Sequence, residues 1–289
     1  MKQFSTPLRY PGGKGKLTNF IKLVFEQNNL IGGEYMEPYA GGAGIALSLL
    51  FDGYASRIHL NDLNPAVFAF WHSVLFETKI LCDVIQKVDV SMDEWYRQKA
   101  ILLEPQKHSL LELGFATFFL NRTNRSGILL GGVIGGKAQA GEWKLDARFN
   151  KNDLISRIEK ISQHKDQIQL HHLDAARLIP EIIPSLPKQT LVYLDPPYYI
   201  KGKGLYENHY KHEDHLEIAK LVKKHIRLPW IVSYDYVPEI MDMYEQDYRP
   251  FTYGINYSAQ NRYQGAEVMF FSKKMTVPDI QNPSKLKLA

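Results

Sequence analysis

The sequence predicts an α/β fold: a doubly wound, mostly parallel sheet into which a second, mainly helical domain is inserted. Three observations predict it. Short β-forming runs alternate with apolar helical segments, which is the pattern of a parallel sheet covered by helices. The alternation breaks off near residue 79 and resumes near residue 164. Finally, the strand-formers at 191–194 stop at Asp195, Pro196, Pro197 and Tyr198, since proline has no N–H for a ladder. An acid is thereby left at the carboxyl end of a strand, where open α/β sheets place their ligand sites.

In chain order, residues 35–38 read as a strand, followed by a glycine-rich turn and an apolar helix at 45–51. A second strand at 57–60 ends in Asn61-Asp-Leu-Asn-Pro65, and 66–76 reads as a helix. Helical segments at 93–103 and 110–120 then precede a glycine-rich stretch, 127–137. Strands at 167–172 and 191–194, with a helix at 175–183 between them, restore the alternation. A helix at 213–226, a strand at 230–233 and a late strand at 267–272 complete it. The expected division is 1–78 plus 164–276 for the sheet domain, 79–163 for the insertion, and a polar tail at 277–289.

At 289 residues and 45% hydrophobic the chain can bury a substantial core. No apolar run approaches the ~20 residues that span a bilayer, and the first residues lack a signal-peptide pattern. The expected setting is cytoplasmic, without a membrane. A single cysteine, Cys82, excludes an internal disulfide and a multi-cysteine metal site. The formal charge of +4 is compatible with nucleic acid without requiring it. His171 and His172 have no second ligand cluster nearby, so no metal is expected.

Glu37-Pro-Tyr-Ala-Gly-Gly-Ala-Gly44 sets glycines between a strand and a helix, where backbone can approach a ligand closely. Asp62 follows at the next strand end, placed for ribose hydroxyls. The pair fits any adenosine-containing cofactor. Leu47 stands where the dinucleotide fingerprint has its third glycine, which favours a cofactor without a pyrophosphate. In Arg9-Tyr-Pro-Gly-Gly-Lys14-Gly-Lys, Leu17 stands where a phosphate loop needs Ser or Thr; Lys14 suits a carboxylate instead.

These pieces occur in one order: Tyr10-Pro-Gly-Gly-Lys14, Glu37-Pro-Tyr-Ala-Gly-Gly, Asn61-Asp-Leu-Asn64, Asn121-Arg-Thr-Asn-Arg-Ser-Gly127 and Asp195-Pro-Pro-Tyr198. The chain resembles the Dam-like N6-adenine-specific DNA methyltransferases of the alpha group over roughly residues 5–272. The resemblance implies a Rossmann-like methyltransferase sheet and S-adenosyl-L-methionine as cofactor. Tyr10, Lys14, Glu37, Pro38, Tyr39, Gly41, Asp62, Asp174 and Asp195 match its cofactor-binding positions, with Lys14 on the methionine carboxylate and Asp62 on the ribose. Asp195, Pro196, Pro197 and Tyr198 match the catalytic tetrapeptide, with Tyr198 stacked on a flipped-out adenine. The transfer is direct and needs no metal.

Double-stranded DNA is the implied substrate, and a cognate restriction endonuclease an implied candidate partner. Asn121, Arg122, Asn124 and Arg125 are side chains that pair with base edges, and Lys137 sits in what reads as a mobile hairpin with Lys144, Arg148 and Lys151. Arg262 is expected on phosphate. Thr123 and Arg125 stand where GATC-reading members carry aromatics, so another target is expected. Two other readings stay open. One is a base methyltransferase acting on structured RNA, although the insertion argues against it. The other is a DNA-binding homologue without turnover, although a mere binder has no need of Asp195.

Overall fold

The computed structural model describes residues 5–9, 14–200, 210–257 and 263–287. Its elements in order are α1 (Thr18–Gln27), β1 (Gly33–Glu37), α2 (Gly44–Phe51), β2 (Ala55–Asn61), α3 (Pro65–Phe76), α4 (Thr78–Lys87), α5 (Met92–Leu103), α6 (Leu110–Thr123) and α7 (Lys151–Ser162). After them come β3 (Ile168–His171), α8 (Ala175–Glu181), β4 (Thr190–Leu194), α9 (His212–His225), β5 (Trp230–Asp235), α10 (Pro238–Tyr244), β6 (Phe251–Tyr257) and β7 (Tyr263–Phe271). The chain divides into two compact units: Met1–Gly13 with Asn64–His172, and Lys14–Leu63 with Leu173–Ala289.

Seven strands form a mixed, mostly parallel sheet in the order β3-β2-β1-β4-β5-β7-β6. Strand β1 pairs in parallel with β2 and β4, and β4 with β5. Strand β7 runs antiparallel to β5 and β6. Every residue of β4 and β5 is buried, as expected for central strands covered on both faces. Adjacent residues of β7 show the two faces, since side chains alternate along a strand. Phe270 joins the core that α8, α9 and α10 share with Val192, Leu194 and Val232, while Phe271 meets Phe20 of α1 edge-on. The connection reverses between β1 and β4. Such a switch point opens a crevice at the strands' carboxyl ends, here Glu37 and Asp195.

In the other unit α6 is buried along most of its length from Leu113 to Thr123. Ser109 and Glu112 form a capping box at its start, which satisfies backbone donors the first turn leaves open. A Cβ on Gly114 would lie 2.4 Å from Ser73 Oγ and 2.6 Å from the Ala69 carbonyl, so α6 meets α3 backbone to side chain. Phe70 and Phe118 stack at 6.1 Å across the same seam.

One expectation changes. Residues 131–151 form no β-hairpin: they fold as turns, with a 3-10 turn at Leu145–Arg148 and one isolated bridge from Asn124 to Val133. The glycine pairs at 131–132 and 135–136 lie outside any strand. In the stretch from 277, expected as a polar tail, Pro283 is buried and Leu286 O accepts from Asn19 Nδ2 of α1 at 2.9 Å.

Candidate active site

The turn that ends β4 is held on both sides. Asp195 Oδ1 accepts from Ser233 Oγ of β5 at 2.9 Å, and that hydroxyl shares a 2.9 Å hydrogen bond with Tyr193. Beyond the prolines, Tyr199 N donates to Asp235 Oδ1 at 2.9 Å and Ile200 N to Asp235 Oδ2 at 3.1 Å. Asp235 is buried at the end of β5; its carboxylate replaces the ladder partners that the chain loses at Pro196 and Pro197. The sequence reading missed it by ending the strand at residue 233. An acid closing the apolar run Trp230-Ile-Val was the available signal.

Lys14 begins a 3-10 turn and is buried. Its Nζ lies 2.7 Å from Tyr198 Oη, 2.9 Å from Glu267 Oε1 and 3.3 Å from Asp195 Oδ1. Those three contacts match the three donors of an ammonium. Lys14, expected on a cofactor carboxylate, lies against the turn that ends β4. The Tyr198 hydroxyl donates to Glu267 Oε1 and that of Tyr253 to Oε2. Tyr198 is 4% exposed, with Lys14 Nζ 4.7 Å from its ring centre. Its hydroxyl is tied inward to Glu267.

Electrostatics follow from this burial. Desolvation pushes the Asp195 carboxyl up to about 6; Lys14 opposes the rise and Glu267 adds to it. Burial works against charge on Lys14 too, yet Asp195, Tyr198 and Glu267 hold its pKa well above the usual lysine value. Burial pushes Glu37 to about 8 against hydrogen bonds from Tyr35 and the Ala46 backbone. Burial thus favours the neutral form of both carboxyls, and the adjacent Lys14 ammonium makes Asp195 the more readily ionised of the two.

Glu37, Asp62 and Asp195 close the carboxyl ends of three successive strands, β1, β2 and β4. Asp62 Oδ2 accepts from Gly41 N at 2.9 Å, so the turn after Pro38 and Tyr39 is laced to the end of β2. Gly41 has φ +46°, and so does its neighbour Ala43, at +48°. A side chain in that left-handed conformation, as at Ala43, costs about 1 kcal/mol or more. Asn61 ties the same turns together, donating to Pro38 O at 2.9 Å and Leu173 O at 3.0 Å. Asp174 caps α8 through Ala176 N at 2.8 Å. The Tyr39 hydroxyl meets that of Tyr210 at 3.1 Å. Tyr10 and Arg262 lie outside the described residues.

A family model described as D12 class N6 adenine-specific DNA methyltransferase matches residues 10–261. The chain belongs to this family. Of curated proteins, the modification methylase StsI of Streptococcus sanguinis is 28% identical to the D12 class chain over 94 residues, 32% of this chain and 13% of that protein. Among solved structures, PH1948 of Pyrococcus horikoshii aligns at TM-score 0.43 with 10% identity, covering 92% of this chain and 87% of the other. The rRNA methyltransferase aviRa of Streptomyces viridochromogenes aligns at TM-score 0.37 and 10% identity, covering 88% and 82%.

The residues of the D12 class chain expected on bases prove to be mostly internal. Asn121 donates to Arg9 O at 2.8 Å and Gly127 O at 3.0 Å, and accepts from Arg9 N at 2.7 Å. Arg122 spends its guanidinium on Arg148 O and Pro7 O. Burial and the nearby Arg9, Arg157 and Arg148 lower its pKa to about 10. Asn124 receives Trp95 Nε1 at 2.7 Å and donates to Ile128 O and Leu129 O. All three side chains are buried, because the turns after α6 leave backbone groups that only side chains can satisfy. Arg125, Lys137, Lys144 and Arg148 are exposed, as is Trp143 at 63%. No cluster of metal-ligating side chains and no membrane-spanning helix occurs among the described residues.

Proposed function

We propose that this D12 class chain is an S-adenosyl-L-methionine-dependent DNA adenine N6-methyltransferase acting on an adenine turned out of the duplex. The end of β4 carries the reading: an ionised Asp195 beside the Pro196 carbonyl, in a turn pinned by Ser233, Lys14 and Asp235. The lone pair of an adenine N6 amine is delocalised into the ring. Two acceptors, Asp195 and Pro196 O, take both amine hydrogens and so direct the lone pair outward. As N6 gains positive charge, the Asp195 carboxylate offsets it, and with a pKa of about 6 it can accept the proton that must leave. Pro197 stiffens the turn.

The residues present fit the cofactor. Three carboxyl groups, Glu37, Asp62 and Asp174, suit ribose hydroxyls and a cationic group, and Asp62 also holds the Gly41 turn. Pro38 and Tyr39 flank that turn. When bound, S-adenosyl-L-methionine supplies an electrophilic sulfonium methyl. Positioning can then contribute up to roughly 7–11 kcal/mol of barrier lowering. We assign residues 79–163 to target recognition, with Arg125 and Lys137 on the phosphate backbone; Asn121, Arg122 and Asn124 shape that region from inside.

Offering labelled cofactor with duplex DNA and structured RNA together tests the reading. Label is expected in DNA, and label in RNA alone overturns it. Two further results are expected. Transfer should fall as pH drops through about 6, with Asp195 protonating, whereas a single-turnover profile flat down to pH 5 contradicts this assignment. Arg125→Ala and Lys137→Ala should weaken binding equally across DNA sequences. Each should make the plot of log affinity against log salt shallower by about 1; an altered sequence preference would mark base reading instead.

A further inference from the structure

Glu267 has no exposed surface, yet both its oxygens are turned to the catalytic neighbourhood. Oε1 accepts from Lys14 Nζ at 2.9 Å and from the Tyr198 hydroxyl, and Oε2 from the Tyr253 hydroxyl. A buried carboxylate survives only when paired and hydrogen-bonded. Here the pairing cation is the one that also stands 3.3 Å from Asp195. The arrangement is a chain of charges, Glu267–Lys14–Asp195, with the Tyr198 hydroxyl bridging the first two. Glu267 lies on β7, far along the chain from Lys14 and Tyr198; the stretch 261–268 that contains it resembles the family's late motif, where Arg262 and not Glu267 was singled out.

We propose that Glu267 is a positioning residue for methyl transfer: it fixes the Lys14 ammonium against Asp195 and anchors the Tyr198 ring through its hydroxyl. The proposal rests on the methyltransferase reading above. It assigns Lys14 to holding Asp195 ionised, and Glu267 to holding Lys14 and Tyr198. Asp195 is faced by Lys14 from the turn before α1, by Glu37 and Tyr35 from β1, by Tyr193 from β4, by Ser233 and Tyr234 from β5 and by Glu267 from β7.

Lys14 and Glu267 act on Asp195 with opposite charges, which gives a signature that a merely structural pair lacks. Glu267→Gln keeps the side chain's size and removes a negative charge, so Asp195 should ionise more readily and the acid limb of kcat should move to lower pH. Lys14→Met removes the cation and should move that limb to higher pH. Displacements of about half a unit or more are expected in each direction. Glu267→Gln should also lower kcat about tenfold or more, with KM for cofactor and DNA within about threefold, since the lost geometry matters in the transition state.

The same displacements should appear in the Asp195 carboxyl 13C titration of the free protein, which needs no turnover. Opposite displacements with a kcat loss support the proposal. Unchanged kcat overturns it, as does a kcat loss that tracks thermal stability while the Asp195 titration stays at its wild-type pH. A wild-type chain that transfers no methyl group to DNA overturns the methyltransferase reading instead. In that case the carboxyl titrations still report separately whether Lys14 and Glu267 set the ionisation of Asp195.

Discussion

Asp195→Ala is expected to lower methyl transfer by at least about 10²–10³-fold, while cofactor affinity changes by no more than a few-fold. The magnitude is that of removing one preorganised group aimed at charge developing in the transition state. Alanine withdraws the acceptor proposed to orient the amine and offset its positive charge, and it leaves Ser233 without that acceptor and Lys14 paired with Glu267 alone. The turn proposed to hold the cofactor is laced through Gly41, Asn61 and Asp62, whose hydrogen bonds there do not involve Asp195. Single-turnover transfer together with calorimetric cofactor titration checks both halves. An equal loss of binding would place Asp195 in the cofactor site and outside the chemistry.

Gly127→Ala carries the second large effect, on folding rather than turnover. Gly127 has φ +75°, and a Cβ built there would meet the Arg9 carbonyl oxygen at 1.9 Å. The left-handed backbone alone costs a side chain about 1–3 kcal/mol, and the collision with backbone cannot be relieved by a rotamer change. Asn121 clamps Arg9 and Gly127 together, so Asn121→Ala should destabilise in the same direction, by about 1–3 kcal/mol for each buried backbone group left without a partner. Thermal unfolding of both variants reads this out. If instead both fold at the wild-type midpoint and alter DNA sequence preference, the motif reads bases after all.

That motif shows where the sequence is legible and where it is not. Asn and Arg side chains suit base edges, and they suit unpaired carbonyls equally well. Residues 121–127 carry that chemistry, but the direction of each side chain is set by the turns that follow α6. Chemistry confined to one strand end was easier to read. Prolines 196 and 197 stop β4 by their own covalent structure, and Asp62 follows the glycine turn at a spacing that brings the two together.

Lys14 was legible as a ligand for a carboxylate, but which carboxylate was not: Glu267 reaches it only because β7 runs antiparallel beside β5. Helix α1 and strand β6 were missed for a related reason. Phe20 and Phe251 explain each other by stacking at 5.7 Å, a contact between opposite ends of the sequence. The β-strand that was read as starting at residue 267 begins at Tyr263, where a glycine at 265 had hidden its continuity.

The central claim is that Asp195 presents an adenine N6 amine for direct methylation. Incubating unmethylated duplex DNA with labelled S-adenosyl-L-methionine, digesting it to nucleosides and identifying the labelled product tests that claim most directly. The account predicts N6-methyl-2′-deoxyadenosine with the wild-type chain and none above background with Asp195→Ala. Label on cytosine, or a labelled adenosine that persists undiminished in the Asp195→Ala digest, would contradict it.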